Sequence, residues 1–443
     1  MKTYWFAVLV ASICLEGLGR RYFPAIPSMV WYLLKDVILL GGYLLFRPQP
    51  EVRRVASYLY RGFAIVWVVA FCWTALEMAN PELGSYPLGL IGMRAYWLWW
   101  LAPTIIATVL QNSKLRRRAI LVLGFIAIGV SALAAMQFVS PADAAINVYS
   151  VVDGEQVSAA EAGIVYATGR ARVASTFAYI SGFTDFTVLV PVLLLSLGLE
   201  TSDRKVRTTS LIATAACAVT LPMSGSRTSV ILGFGVLAIT CWSAGLFFTR
   251  TGRRILIGGL VGMIVAGIAF PDAIFGIESR FSENAAETSQ RVVLAMAIIP
   301  PVALYSLDYP MMGAGTGSMQ NAAYFFKIYP KWPAEIEMHR YLVELGIGGF
   351  LLVWTVKLGL MVAFLRAAPI LKKAGRRAGA GAALSYAAVT FFGSLTFDHV
   401  WQALYFVGAG FVLAETKAAL DLLRERARLK EAVVGPPPVS LRA

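Results

Sequence analysis

The sequence predicts an all-α integral membrane protein with about twelve transmembrane helices and two long outer loops. Hydrophobic residues make up 58% of the 443 residues, and the mean hydropathy is +0.68, which is more apolar than a soluble protein with charged surfaces. Windows of about 17 to 25 apolar residues recur along the whole chain, whereas a cleaved signal peptide would give one short window before soluble sequence. These features predict a polytopic membrane protein without a soluble domain.

The apolar windows set the expected domain organisation. We expect a transmembrane domain over residues 1–423 and, over residues 424–443, a cytoplasmic basic helix that ends in a disordered, proline-containing stub. An even number of spans places both termini on the same side of the membrane. The predicted spans cover roughly residues 4–18, 29–46, 57–76, 95–111, 119–139, 180–199, 208–223, 228–249, 255–272, 339–365, 379–396 and 400–419.

The distribution of charge predicts the orientation of these spans. The formal net charge is +14, and two long connections, 140–179 and 271–338, hold more acids than bases, which is typical of outer loops. The short connections between spans carry clusters of lysine and arginine, which face the cytoplasm under the positive-inside rule. Because such residues orient spans far more often than they bind polyanions, nucleic acid is not an expected partner. The basic clusters lie in short connections near residues 47–61, 114–118, 204–207, 250–254 and 366–377.

The four cysteines indicate neither a disulfide framework nor a metal site. They lie in or beside apolar spans, at Cys14, Cys72, Cys217 and Cys241. Their spacing matches no metal-ligand motif.

The segment KWPAEIEMHRYLVELGIGGF, residues 331–350, places one of the two histidines where a polar stretch enters an apolar one. Pro333 suits the first turn of a helix, where the helix dipole also favours the negative charge of Glu335 and Glu337. The apolar residues that follow, to about residue 365, are long enough to cross a bilayer core of about 30 Å. The pattern predicts His339 about two turns into this helix, near the membrane surface.

Several arginines are predicted at the outer ends of spans. Arg170 and Arg172 precede a span in the first outer loop. Arg227 lies in a tight outer turn, and Arg291 lies in the second outer loop before an amphipathic segment. Burial of a guanidinium at the membrane surface is costly, so such residues have a partner or face a wet cavity. The structural alternatives are snorkelling for the first two and an ion pair with another loop for Arg227.

Two further features have a structural and a functional interpretation. His399 follows Asp398 at the last outer turn, where it is either a second site residue or an interfacial histidine paired with its neighbours. The glycines Gly313, Gly315 and Gly317 expose backbone amides, but they follow no strand and lead into no phosphate-loop lysine. A plain turn is therefore favoured over a nucleotide site.

Arginines and a histidine on one side of the membrane suit group transfer from a lipid diphosphate. Guanidinium groups bind phosphate oxygens bidentately, and fixed cations stabilise the charge that develops on a phosphate leaving group. A neutral imidazole at His339 can take the proton of an attacking hydroxyl, with Glu335 or Glu344 holding the ring. Such a site needs no metal and no other cofactor.

Four short motifs follow one another between about residues 170 and 350: Arg172 with STF, SGSR with Arg227, Arg291 ahead of PMMGAGTG, and HRYLVELGIGG at His339. In this order they resemble the bacterial O-antigen ligase and O-antigen polymerase superfamily. The resemblance implies a polytopic glycosyltransferase of the GT-C type in the bacterial inner membrane. It also implies metal-independent, inverting transfer of a glycan from undecaprenyl diphosphate on the outer face. Carried over residue by residue, the three arginines bind the diphosphate and His339 activates the acceptor hydroxyl.

Two points stay open within this resemblance. The family often has a small polar residue after the histidine, where this chain has Arg340. Arg340 therefore either joins the anion site or pairs with Glu344 one turn on. Arg170 is an alternative to Arg172 as a ligand of the diphosphate.

The predicted activity is glycan transfer from an undecaprenyl-diphosphate-linked oligosaccharide to a glycan or lipid acceptor, in O-antigen or exopolysaccharide biosynthesis. Polymerase is slightly favoured over ligase, and other polysaccharide-assembly proteins are expected partners beside the membrane lipids. The alternative is a secondary transporter or lipid-linked glycan flippase, which would place ionisable groups near the bilayer midplane and show internal repeats. Lys35, Asp36 and Lys357 are the few midplane candidates, so the polar residues at one membrane face favour an enzyme.

Overall fold

The computed structural model describes residues 1–152, 155–275, 311–328 and 337–434, and these are mostly helical. The α-helices in these ranges are α1 (Lys2–Cys14), α2 (Glu16–Tyr22), α3 (Ser28–Phe46), α4 (Pro50–Leu59), α5 (Ala64–Met78), α6 (Tyr86–Trp97), α7 (Ala102–Leu110), α8 (Ser113–Val139), α9 (Ile180–Glu200), α10 (Arg204–Thr220), α11 (Arg227–Ser243), α12 (Arg250–Ala269), α13 (Ala322–Phe325), α14 (Glu337–Lys373), α15 (Arg377–Phe392) and α16 (His399–Val434).

The first predicted outer loop contains a small β-hairpin that the sequence did not indicate. Strands β1 (Val148–Val152) and β2 (Glu155–Ser158) pair antiparallel, with an irregularity in register between Val148 and Ser150. Four short 3₁₀ segments complete the described elements, at Pro81–Leu83, Leu98–Leu101, Ala145–Asn147 and Leu221–Ser224.

Seven helices in the described ranges are long and apolar enough to cross a membrane, which establishes an all-α, multi-pass architecture. The pair α4 and α5, bent by 93°, adds an eighth if it forms one span. The seven are α3, α8, α9, α10 with its 3₁₀ extension, α12, α14 and α16. Helix is present in every predicted window, but α1 and α11 are short, so the count of twelve stays a prediction.

Several predicted spans are interrupted for physical reasons. The window at 4–18 breaks at Leu15, between α1 and α2. The window at 95–111 is divided by the 3₁₀ segment before Pro103, which has no N–H to continue a helical ladder. At the other end of the chain, α16 continues across residue 424 to Val434, so no break separates the predicted tail. Residues 435–443 lie outside the described residues.

Helix α9 lies at the centre of the bundle. It is apolar on all sides, and 94% of its most apolar window is buried, as expected for a helix surrounded by other helices. It contacts α8, α10, α11, α15 and α16. By contrast, only 7% of the corresponding window of α12 is buried. The large apolar side chains that α12 exposes, such as Ile268 and Val265, are suited to contact lipid.

Helix α14 reverses direction at Gly346 and is not one continuous span. Gly346 has φ +64° and ψ −174°, which is not helical. The Nζ atom of Lys357 lies 2.6 Å from a carboxylate oxygen of Glu337, although 20 helical residues would separate them by about 30 Å. The short helix 337–345 therefore folds back along the start of the long helix 347–373. The predicted span at 339–365 is wrong in this respect, because only the long helix crosses the bundle.

The glycine-rich loop 311–320 holds this reversal in place. Ala314 N and Gly315 N donate to the carbonyls of Val343 and Glu344, at 2.8 and 3.1 Å. Glu344 accepts a bond from Met319 N at 2.8 Å, and Glu77 accepts one from Gly313 N at 2.9 Å. The backbone amides of this loop thus bind carboxylates of the protein itself, which agrees with the structural interpretation of its glycines.

We predict that Gly346→Ala destabilises the protein by at least about 2 kcal/mol. The left-handed φ disfavours any side chain with a Cβ atom, and a Cβ here would lie 2.3 Å from the carbonyl oxygen of Met311. Thermal unfolding in detergent measures the effect. The control is Gly235→Ala, where the added Cβ meets no atom within 4 Å. Equal melting temperatures for the two variants would contradict the assigned reversal.

Candidate functional site

The two ends of the bundle carry different cavities. Ile180 and Ser181, at the start of α9, line one cavity, and Leu197 and Glu200, near its end, line another. The 21 residues of α9 span about 30 Å, the thickness of a bilayer core. We call the first the hairpin cavity, because the reversed part of α14 lines it, and the second the basic cavity.

Helices α1 and α16 relate the chain termini to these ends. Glu16, just after α1, lies 3.3 Å from His399, the first residue of α16. The end of α1 and the start of α16 therefore meet beside the hairpin cavity. The start of α1 and the far end of α16 point toward the other end of the bundle.

The hairpin cavity has a volume of about 480 Å³, within the range of small-molecule sites. A side chamber of about 60 Å³ adjoins it through Tyr179, Asn321 and Asp398. Polar side chains dominate the wall of the main cavity: Tyr149, Tyr179, Ser181, Asn321, Glu337, Arg340, Ser394 and Asp398.

Arg340 lies in the wall of this cavity, with its guanidinium 5.3 Å from the centre of the Phe397 ring. It reaches this position because the reversal at Gly346 returns the short helix 337–345 to the level of Phe397 and Ser394. Glu344 is fully buried and accepts bonds from Tyr96 Oη at 2.9 Å and from the glycine-rich loop. The charge of Arg340 also acts on Glu344, so both roles of Arg340 stay predictions.

Arg172 packs against the SGSR turn and acts electrostatically on the cavity wall. Its Nε donates to the carbonyl of Ser224 at 3.2 Å. A Cβ at residue 225, where Gly225 has φ +68°, would lie 2.9 Å from the same Nε atom, so glycine permits this close approach. Burial raises the pKa of Tyr149 in the cavity wall, and the positive charges of Arg172 and Arg21 oppose that rise.

The neighbouring arginines differ in their environment. Arg227 begins α11 directly after the turn that Arg172 contacts, and it is half-buried. Arg170 instead donates to Asp272 at 3.1 Å and to the carbonyl of Val139 at 2.9 Å. The structure therefore brings Arg172 and the start of α11 together, and it directs Arg170 into an ion pair elsewhere.

His339 lies in the first described turn of α14 and is half-buried. Its helix neighbours Glu337 and Arg340 line the hairpin cavity, whereas His339 is not among the described residues that do. Glu337 accepts bonds from Lys357, Ser394 Oγ and Thr396 N. Since Glu344 is held by Tyr96 and the loop, the expected orientation of the imidazole by Glu344 is not found. Glu335 and Arg291 lie outside the described residues.

A buried charge network next to the side chamber was not predicted. The Nζ atom of Lys35 lies 2.5 Å from a carboxylate oxygen of Glu16, and both side chains are buried. His399 approaches the other oxygen of Glu16, and its ring meets that of Tyr32 edge to face at 4.8 Å. Arg20 also lies 3.4 Å from this carboxylate, so three basic side chains surround Glu16.

The network continues to Asp36, which pairs with Arg94 and accepts a bond from Trp99 Nε1. The signal in the sequence was the presence of ionisable residues inside apolar stretches, because such residues are retained with a partner. Spacing along the chain did not reveal that Lys35 pairs with Glu16. His399 was predicted to be either a site residue or an interfacial histidine paired with a neighbour. It is paired with Glu16 and also lines the side chamber, so both interpretations stay possible.

No family model matches the chain, and no curated protein matches it. Within the described residues, no group of three or more His, Cys, Asp or Glu side chains is placed to hold a metal ion. The arrangement at the hairpin end is thus a polar cavity with arginines in and beside its wall.

We predict strong coupling between Glu16 and Lys35. Glu16→Gln and Lys35→Met should each destabilise the protein by about 3–5 kcal/mol, because each removes one partner of a buried ion pair. The double variant should recover most of that loss, since it removes both charges. Thermal unfolding of the four proteins gives the coupling energy, and additive losses would refute the pairing.

Proposed function

We propose that the protein is an integral-membrane glycan transferase that acts on an undecaprenyl-diphosphate-linked oligosaccharide at the hairpin cavity. The observation that carries the proposal is the positive charge at one cavity: Arg340 lies in its wall, and the charge of Arg172, which packs on the SGSR turn, acts on its wall residue Tyr149. Guanidinium groups around a cavity at a membrane surface suit a lipid diphosphate. In this proposal the fold is GT-C-like with about twelve spans. The end of the bundle that holds the basic cavity faces the cytoplasm of a bacterial inner membrane, and so do both termini.

In the proposed reaction the acceptor oxygen attacks the anomeric carbon from the side opposite the diphosphate. A new carbon–oxygen bond forms to the acceptor, and the bond to the phosphate oxygen breaks with inversion. The leaving group is undecaprenyl diphosphate, whose developing negative charge Arg172, Arg227 and Arg340 stabilise. His339 accepts the proton of the attacking hydroxyl. Arg291 is a further proposed ligand of the diphosphate, from the resemblance described above, and the proposed site uses no metal and no cofactor.

The positions of the ionisable groups favour an enzyme over a transporter or flippase. A transporter concentrates such groups near the bilayer midplane. Lys35 instead pairs with Glu16 beside the side chamber, and Lys357 pairs with Glu337 in the wall of the hairpin cavity. These candidates for a midplane site are therefore committed to ion pairs at one end of the bundle.

The acceptor is proposed to be a growing glycan, with transfer to a lipid as the alternative. Both reactions use the same donor, so the donor-binding residues are the same for a polymerase and a ligase. We retain a slight preference for a polymerase in O-antigen or exopolysaccharide biosynthesis, working with other polysaccharide-assembly proteins.

We predict that His339→Ala and Arg172→Ala each reduce release of undecaprenyl diphosphate at least about 100-fold, because one removes the base and the other a stabilising cation. The assay uses the full-length protein in proteoliposomes with an undecaprenyl-diphosphate oligosaccharide. Arg170→Ala is the matched control and should keep most of the activity, since Arg170 is paired with Asp272. Wild-type rates in both test variants would refute the site.

The products of the same assay separate the two acceptor classes. A ladder of repeat units indicates a polymerase, and a single transferred glycan indicates a ligase. Movement of the donor across the bilayer without release of undecaprenyl diphosphate would support a flippase and overturn the proposed transfer reaction.

A further inference from the structure

The basic cavity lies about 30 Å from the hairpin cavity along α9 and has a volume of about 850 Å³. Five parts of the chain meet there: the start of α8, the connection between α9 and α10, the connection between α11 and α12, the connection between α14 and α15, and Glu415 of α16. Six basic side chains and three acidic ones line it. The basic residues are Lys114, Arg116, Arg117, Arg207, Arg376 and Arg377.

Each of the three acidic side chains binds a partner within the wall of the basic cavity. Glu415 bridges two arginines, at 2.8 Å from Arg116 and in contact with Arg376. Glu200 accepts a bond from Gly379 N at 2.6 Å, near the start of α15. Asp203 accepts bonds from the first amides of α10 and pairs with Arg117. The positive charge of the lining is therefore only partly compensated from within the wall.

Lys114 and Arg377 carry most of this uncompensated charge. Both side chains are exposed, and neither makes an ion pair with a described residue. Arg207 donates to the carbonyl of Thr201 at 3.1 Å and likewise has no acidic partner in the described part of the chain. These three cations are available to an anion that enters the cavity.

Two neighbouring arginines and three helix ends add to the positive charge of the wall. Burial lowers the pKa of Arg376, and the nearby charge of Arg116 lowers it further. The cavity also receives the amino-terminal ends of α8, α10 and α15, which carry partial positive charge. Glu415 already bridges Arg116 and Arg376, so an entering anion meets chiefly Lys114, Arg207 and Arg377.

The remaining wall is apolar, which distinguishes this cavity from a site for a soluble anion. Ile120, Leu197, Val206 and Leu246 line it beside the basic side chains. A phospholipid presents this combination of an anionic headgroup and an adjoining acyl chain. Basic pockets between transmembrane helices bind the headgroups of anionic lipids.

We propose that the basic cavity binds the phosphate of an anionic glycerophospholipid from the adjacent leaflet. Lys114, Arg207 and Arg377 contact the phosphate, and the apolar side chains contact the glycerol and the first part of an acyl chain. The proposal is independent of the glycan-transfer reaction, since it concerns the opposite end of the bundle. A free phosphate compound would use the same cations without the apolar wall.

The test measures lipid binding to the purified full-length protein by native mass spectrometry and thermal unfolding. The probes are phosphatidylglycerol and cardiolipin, with phosphatidylcholine and inorganic phosphate for comparison. The test variant is Lys114→Gln/Arg377→Gln. The matched control is Lys372→Gln/Lys373→Gln, which removes the same charge from exposed residues at the same end but outside the cavity wall.

We expect anionic lipids to bind the wild type and the control alike and to raise their melting temperatures. The test variant should bind the same lipids at least about tenfold more weakly. Equal affinity of the test variant and the control, or equal binding of phosphatidylcholine, would overturn the proposal. Stabilisation by inorganic phosphate that matches that by phosphatidylglycerol would also overturn it, in favour of a soluble phosphate compound.

Discussion

The reversal of the chain at Gly346 is the constraint on which the hairpin end depends. It sets Glu337 beside Lys357 and places Arg340 opposite Phe397 in the cavity wall. Only a residue without a Cβ tolerates both this backbone conformation and the closeness of Met311. The indole N–H of Trp73 donates to the carbonyl of Leu345 at 3.0 Å, so a carbonyl that the helix break leaves unpaired is satisfied.

The glycine-rich loop and the short helix depend on each other. A Cβ at Gly313 would lie 2.2 Å from the backbone of Glu344, and one at Gly315 would lie 2.7 Å from the side chain of Leu83. The carboxylates of Glu77 and Glu344 accept bonds from loop amides that would otherwise be unpaired in the interior, where unpaired polar groups are costly. The glycines therefore allow close packing and let the loop amides bond to carboxylates of the protein. Any positive charge at the cavity comes from the arginines.

Much of the fold could be predicted from composition, because apolar length and charge placement along a chain are sufficient to locate membrane helices. The same reasoning missed the reversal at Gly346, since the residues on both sides of it are equally apolar and a straight helix satisfies the same pattern. It also left the choice between Arg170 and Arg172 open, because that choice depends on Asp272, which pairs with Arg170 from 102 residues further along the chain. The pairing of Glu16 with Lys35 and His399 is similarly a property of the packed bundle.

The two neighbours His339 and Arg340 illustrate what the short helix contributes to the proposed reaction. Successive side chains on a helix diverge by about 100°, so they face different directions from one backbone segment. Arg340 faces the cavity together with Glu337, which is three residues earlier and on the same side of the helix. A diphosphate bound by Arg340 would therefore occupy one side of the helix, and an acceptor hydroxyl would reach His339 from another. Inverting transfer needs donor and acceptor to approach the anomeric carbon from opposite sides, and adjacent positions on one rigid helix provide that separation.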